Sequence, residues 1–202
     1  MLLYPAQVAE VLAPIAEYPE IQFSLKMRLG WENASECMVL VELLNTLRLS
    51  RIALHARTGK QQYKGHPDLE AFQGFYELCQ HPLYYNGGIE SLSDIRQILI
   101  RFPLLKGVFI GRGLLSSPLL AKEFKGNETF LPEQRMSIYF AFHEELFSAY
   151  SQVLQGETQL LVKMKTLWEY FLPETDRKLL KRIKKSTRLQ QYTESVKAIF
   201  TS

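Results

Sequence analysis

"KGVFIGRGLL", residues 106–115, is an apolar run that stops at two glycines flanking an arginine. A turn needs one glycine at most, and an apolar core has no use for a guanidinium. Glycine lets a backbone approach a ligand closely, and arginine grips phosphate with a two-pronged set of N–H groups. The stretch therefore reads as a buried strand over 107–111 whose end is shaped for an anion.

Three other stretches have the same character: "IQFSLKM" (21–27), "RIALH" (51–55) and "PLYYN" (82–86). They are short and apolar without polar alternation, which suits strands buried on both faces of a parallel sheet. Helical stripes separate them. Leu40, Leu43, Leu44 and Leu47 repeat at helical spacing with Ser35 as N-cap; Leu69, Phe72, Tyr76 and Cys79 form a second stripe. Ile95, Ile98, Leu99 and Phe102 form a third, capped by Ser93, and Val8, Val11, Leu12 and Ile15 open the chain with Pro14 shortening that helix. Helix–strand repeated four times predicts a β/α architecture with right-handed crossovers.

Beyond residue 131 strand signals vanish. Pro132 opens a long helix with Met136, Tyr139, Phe140, His143, Phe147, Tyr150 and Leu154 on one face, ended by Gly156. Leu161, Met164, Trp168 and Phe171 mark a helix stopping at Pro173; Thr175 caps another, and Tyr192, Val196 and Ile199 mark the last. The chain is thus divided into an α/β region, 1–125, and a helical bundle, 131–202, joined by the polar "KGNET".

Composition sets wide limits. With 202 residues, 47% hydrophobic and 22% charged, the chain is globular in type. No apolar run has the length of a membrane span and no leader pattern opens the sequence, so a cytoplasmic protein is expected. Cys37 and Cys79 have no metal-ligand spacing and read as reduced core or helix residues. A net charge of +3 does not by itself demand a nucleic acid.

Parallel β/α folds gather ligand groups at the C-terminal ends of their strands. The four strands end at Lys26-Met27-Arg28, His55-Ala56-Arg57-Thr58, Asn86-Gly87-Gly88 and Gly111-Arg112-Gly113. One such ending is compatible with a structural histidine or a solvated cation; four in succession point to a ligand. A (β/α)8 barrel commonly holds phosphate in the loops after its seventh and eighth strands. "YNGG" and "IGRG" match that pattern, with 114–117 opening the next helix. Read as tight turns alone, the same loops leave Arg112 without a role.

These residues carry a resemblance. "SLKMRLGW", "LHARTGKQQYKG", "YYNGGIESLSDI" and "GVFIGRGLLSSPLL" stand in the order and spacing of tRNA-dihydrouridine synthases, and "LVKMKTLWEYFLP" resembles that family's tRNA-binding helical domain. The resemblance implies the last four β/α units of a flavin-binding TIM barrel followed by the helical domain. It also implies an FMN-dependent reduction of uridine in tRNA, with NADPH as reductant. By the same resemblance Lys26 and His55 lie against the flavin ring, Asn86 lies near the ribityl chain or phosphate, and Gly111-Arg112-Gly113 hold the phosphate, with Gly87 and Gly88 letting the backbone close. Arg28, Arg57 and Lys64 face the same rim and are expected to meet the RNA backbone.

The chain departs from the family at three places. Ala56 stands where the family often has Gly, and Gly88 where it often has Asp. The family's Asn-x-Gly-Cys-Pro loop, whose cysteine acts as general acid toward uracil, has no counterpart here; neither Cys37 nor Cys79 matches it, so no catalytic residue is assigned. Four parallel strands do not close a barrel and leave two unpaired edges. The expectation is a truncated product, a fragment or half of an assembly, inactive alone, or an open half-barrel whose edge pairs with a second copy.

"DRKLLKRIKKSTR" (176–188) concentrates cations. Leu179, Leu180 and Ile183 face inward on a helix, leaving Lys178, Lys181, Arg182 and Lys185 outward for phosphates. Charge alone does not separate this from a solvated face; the resemblance favours tRNA. The competing readings are a non-catalytic RNA-binding remnant and another FMN- or phosphate-binding barrel protein.

Overall fold

The computed structural model describes residues 2–201, and the chain divides into two compact units, Met1–Gly111 and Arg112–Ser202. In the first, proline at the opening turn starts α1 (Pro5–Leu12), and Pro14 converts its end to a 3-10 turn, Ala13–Ala16. Then follow β1 (Phe23–Gly30), a 3-10 turn (Glu36–Leu40), α2 (Val41–Thr46) and β2 (Leu49–Thr58). The unit ends with α3 (Leu69–Leu78), β3 (Leu83–Asn86), α4 (Leu92–Arg101) and β4 (Gly107–Phe109). The sheet order is β1-β2-β3-β4 and every neighbouring pair is parallel. This is the expected α/β pattern with half the strands of a closed (β/α)8 barrel.

One face of the sheet buries Met27, Leu29, Ile52, Leu54, Ala56 and Tyr85 against Leu40, Leu44, Phe72, Phe75, Ile95 and Phe102. Phe72 meets both Tyr85 and Phe102 edge-on at 5.0 Å. Burial on both faces holds for β2 but not for β1, where Met27 and Leu29 are buried while Ser24 and Lys26 are exposed. An edge strand shows period two because only one face carries helices. Both strands also run further than expected, so Arg28 and Arg57 lie inside β1 and β2.

The caps differ in detail. Ser91, not Ser93, caps α4: its Oγ accepts from the Asp94 N–H at 3.1 Å and the Asp94 carboxylate accepts from the Ser91 N–H at 2.8 Å. Ser35 makes no capping bond. No helix among the described residues is long and apolar enough to cross a membrane.

The second unit is helical: α5 (Arg112–Ser116), α6 (Leu120–Gly126), α7 (Pro132–Val153), α8 (Glu157–Leu167), α9 (Arg177–Lys185) and α10 (Leu189–Phe200). It begins earlier in the chain than the polar link at 125–129. Ser117 shares a 2.7 Å hydrogen bond with Tyr139, Leu119 joins the helical core, and Glu123 pairs with Arg135, so α5 and α6 belong with α7. Gly156 precedes α8, and Asp176 rather than Thr175 caps α9, accepting from the Lys178 and Leu179 N–H groups at 2.7 and 3.2 Å.

Met164, Trp168, Phe171, Ile183, Tyr192 and Val196 form this unit's core. Within it runs a polar chain. Trp168 Nε1 can only donate, and it does so to Tyr192 Oη at 3.0 Å. The phenol then donates to His143 Nε2 at 2.6 Å, which leaves Nδ1–H to meet the Glu144 carboxylate at 3.0 Å. Burial lowers the pKa of His143, and the Glu144 bond only partly offsets this. A histidine neutral in the fold and charged when unfolded contributes stability that is present above about pH 6.5 and lost below it, at up to about 1.4 kcal/mol per pH unit. Thermal melts between pH 7.5 and 5.5 are expected to show this fall, and a His143→Gln variant to show a smaller one.

Candidate functional site

Strand register places Lys26, Arg28, His55 and Asn86 on one face of the sheet. Arg28 pairs with His55, His55 with Asn86, and Asn86 with Phe109, one unbroken row across all four strands. Paired residues in a parallel sheet share a face, so these side chains lie opposite the buried apolar face. Lys26 sits on the same face two residues earlier, in the row Lys26–Ala53–Tyr84–Gly107. Strands lie about 4.8 Å apart, so Arg28 to Asn86 spans about 10 Å. Lys26 is exposed, Arg28 and Asn86 half-buried, and His55 buried.

Asn86 donates one amide proton to the Phe109 carbonyl at 2.8 Å, which fixes its orientation. Gly87 (φ +141°) and Gly88 (φ +60°) take backbone conformations that favour glycine. A Cβ at Gly87 would meet His55 at 3.4 Å, so this loop folds directly against the row. Gly111 and Gly113 are not among the residues of positive φ, and Gly113 is buried within α5. The conformational reason for glycine therefore applies to the first loop and not the second. Arg112 and Gly113 open the helical unit, with the Arg112 carbonyl accepting from Ser116 Oγ at 3.2 Å.

Arg57 corrects an expectation. It is 4% exposed, and its Nη2 donates to the Gly65 carbonyl at 2.8 Å, so it braces the loop after β2 instead of presenting a charge at the surface. Arg28 also turns to that loop, its Nη1 donating to the Thr58 and Gln62 carbonyls at 2.7 and 3.2 Å. Lys64 remains exposed on the loop. Tyr63 joins them without a motif to mark it, an exposed ring 5.8 Å from the Arg28 guanidinium and 6.4 Å from the His55 ring. An aromatic residue in a polar loop, with no apolar neighbour to explain it, was the available signal.

Burial pushes the Cys37 thiol up to about 11 and raises that of Cys79 as well, so neither is set to give up a proton readily at neutral pH. In the helical unit Lys178, Lys181, Arg182 and Lys185 are exposed and line one groove of about 460 Å³ with Gln191 and Glu194. Ile183 is fully buried beneath them, as the stripe predicts. The exposed Lys26 and half-buried Asn86 thus stand with the Gly87–Gly88 turn on the polar side of the strand ends, while Arg28 is turned to the loop after β2. The groove of α9 and α10 concentrates four cations on one face of the helical unit.

The dihydrouridine synthase family model matches residues 1–201. The tRNA-dihydrouridine synthase B of Vibrio vulnificus (strain CMCP6) is 25% identical over 137 residues, 66% of this chain and 42% of its own length. A protein of Aquifex aeolicus (strain VF5) named "Probable tRNA-dihydrouridine synthase" is 34% identical over 128 residues, 62% of this chain and 40% of its own. The tRNA-dihydrouridine(16) synthase of Haemophilus ducreyi (strain 35000HP / ATCC 700724) is 30% identical over 105 residues, 52% and 32% respectively. The chain thus spans less than half the length of the curated relatives it matches. With its strand-end row in place and the family model running along its described length, the chain belongs to the dihydrouridine synthase family.

Proposed function

We propose that this chain supplies the flavin-binding strand ends and the RNA-binding helices of a tRNA-dihydrouridine synthase, which reduces the C5–C6 bond of uridine in tRNA with FMN as cofactor and NADPH as reductant. The observation that carries this reading is the row Arg28–His55–Asn86, with Lys26 on the same face. FMN, when bound, supplies the hydride chemistry. Lys26 holds an exposed ammonium where negative charge on the flavin ring would be stabilised, a fixed electrostatic contribution. His55, pressed between Gly87 and the Tyr63 loop, offers a ring of fixed orientation. Asn86 with Gly87 and Gly88 serves the ribityl chain and phosphate, and Gly111, Arg112 and Gly113 the phosphate.

The groove of Lys178, Lys181, Arg182 and Lys185 binds tRNA backbone, and Lys64 in the first unit is a further candidate for a phosphate contact. Its exposed cations meet phosphates, and folded RNA is recognised largely through its backbone and shape. Each cation lost should flatten the dependence of log affinity on log salt by about 0.7–0.9. Filter binding of tRNA by K181Q and R182Q is expected to show that reduction, with binding weakened for all tRNA sequences alike. Unchanged slopes would remove the groove from the interface.

Four strands leave β1 with a neighbour on one side only, beside an apolar groove of about 490 Å³ lined by Val8, Leu12, Leu25, Met27, Leu40 and Leu44. With that edge open and both thiols raised, the chain by itself is proposed to bind tRNA without forming dihydrouridine. Pairing of this edge with a second copy is the accompanying proposal, read out as a dimer by light scattering. Dihydrouridine formed by the isolated chain from FMN, NADPH and tRNA would contradict inactivity. The basic groove and raised thiols also fit a second reading, a non-catalytic RNA-binding module; a colourless protein that binds tRNA but no FMN would favour it.

A further inference from the structure

We propose that Arg28 is a positioning residue that holds the loop over 59–68 in place, and not a contact to an RNA phosphate. The loop starts as a continuation of strand pairing, with the Gly59 and Lys60 N–H groups donating to the Gly30 and Trp31 carbonyls at 2.8 and 2.9 Å. The Gln61 side chain then draws it tight, its Nε2 donating to the Lys64 and His66 carbonyls, both at 2.8 Å. Two residues in the loop have left-handed backbone, Gln62 at φ +52° and Gly65 at φ +64°. For Gln62 that conformation is disfavoured, so something must hold it.

Each of these positions has its carbonyl gripped by an arginine from the sheet. Arg28 on β1 holds Gln62, and Thr58 with it, while Arg57 on β2 holds Gly65. Between the two clamps stands Tyr63, 62% exposed, with the Arg28 guanidinium 5.8 Å from its ring centre and His55 at 6.4 Å. The guanidinium thus spends Nη1 on two carbonyls and sits over an aromatic ring. These are the contacts of a brace, made to the chain's own backbone and to its own aromatic ring. That the braced loop serves RNA binding rests on the tRNA-dihydrouridine synthase reading; that Arg28 braces it does not.

Hydrogen exchange of the ligand-free chain tests the brace without RNA. In R28A the amides of Gln62 and Lys64, bonded within the loop to Gly59 and Gln61, are expected to exchange about tenfold faster or more, while those of β3 and α4 keep their rates. R28K, retaining one donating head group, should restore part of the protection. Should R28A loosen the whole unit, the loop-only change is read from R28K: exchange faster than wild type supports the brace, and wild-type exchange there overturns it. In tRNA binding, R28A is expected to weaken affinity with an unaltered salt slope, and to add nothing to Y63A in the double variant. Unchanged loop exchange in R28A, with a salt slope lowered by about one, would overturn the proposal in favour of direct phosphate contact. If the wild-type chain binds no tRNA, the functional reading fails while the exchange result still decides the role of Arg28.

Discussion

Replacing Arg135 by alanine is expected to destabilise the helical unit by about 3–5 kcal/mol, because it strands a carboxylate in the core. Glu123 on α6 is only 3% exposed, and Arg135 on α7 holds it, also reaching Tyr139 Oη at 3.3 Å. The converse change is milder. Arg135 is 33% exposed and can turn to water, and a glutamine at position 123 still accepts its bond, so E123Q should cost about 1 kcal/mol. Urea melts followed by Trp168 emission in a Trp31→Phe background report this unit directly. Equal costs for the two variants would show that Glu123 is not desolvated in solution.

Tyr192→Phe is expected to cost about 2–4 kcal/mol in the same melts. The lost hydroxyl accepts from Trp168 Nε1 and donates to His143 Nε2, so its removal leaves a buried donor and a buried acceptor both unmatched, at about 1–3 kcal/mol each. Burial also pushes the Tyr192 phenol up, which keeps it protonated and able to donate at neutral pH. Burial, which lowers the pKa of His143, is kept by phenylalanine, so the fall in stability on acidification should persist in Y192F. A cost below about 1 kcal/mol would mean that water reaches this network.

Much of the fold is legible in the chain because short apolar runs between helical stripes leave few other arrangements. The ends of those runs are less so. "SLKMRLG" is an edge strand whose polar residues alternate with buried ones, and a window stopping at Met27 hides that alternation. Ser91 and Ser93 are equally good caps by composition; only the Asp94 carboxylate, bonding back to the Ser91 N–H, chooses between them. The link at 125–129 is the more polar stretch, yet buried contacts of Ser117, Leu119 and Glu123 place α5 and α6 with the helices that follow.

The site is legible as a set of strand-end residues and illegible as a geometry. Register is a property of paired strands, so the row Arg28–His55–Asn86 emerges only when three distant segments align. Arg57 reads as a rim charge because arginine is rarely buried, and it is buried here because a loop carbonyl waits for it. The same folding back of the loop brings in Tyr63, which no spacing rule connects to His55.

The central claim is that the polar face of this sheet binds FMN, and a titration of FMN into the chain, followed by quenching of flavin fluorescence, tests it most directly. Saturable quenching is predicted, with affinity about 10–100-fold weaker in K26A, the loss of one charge-assisted hydrogen bond. A flavin whose fluorescence is unaltered by the protein, or is quenched equally well by K26A and H55A, would contradict it.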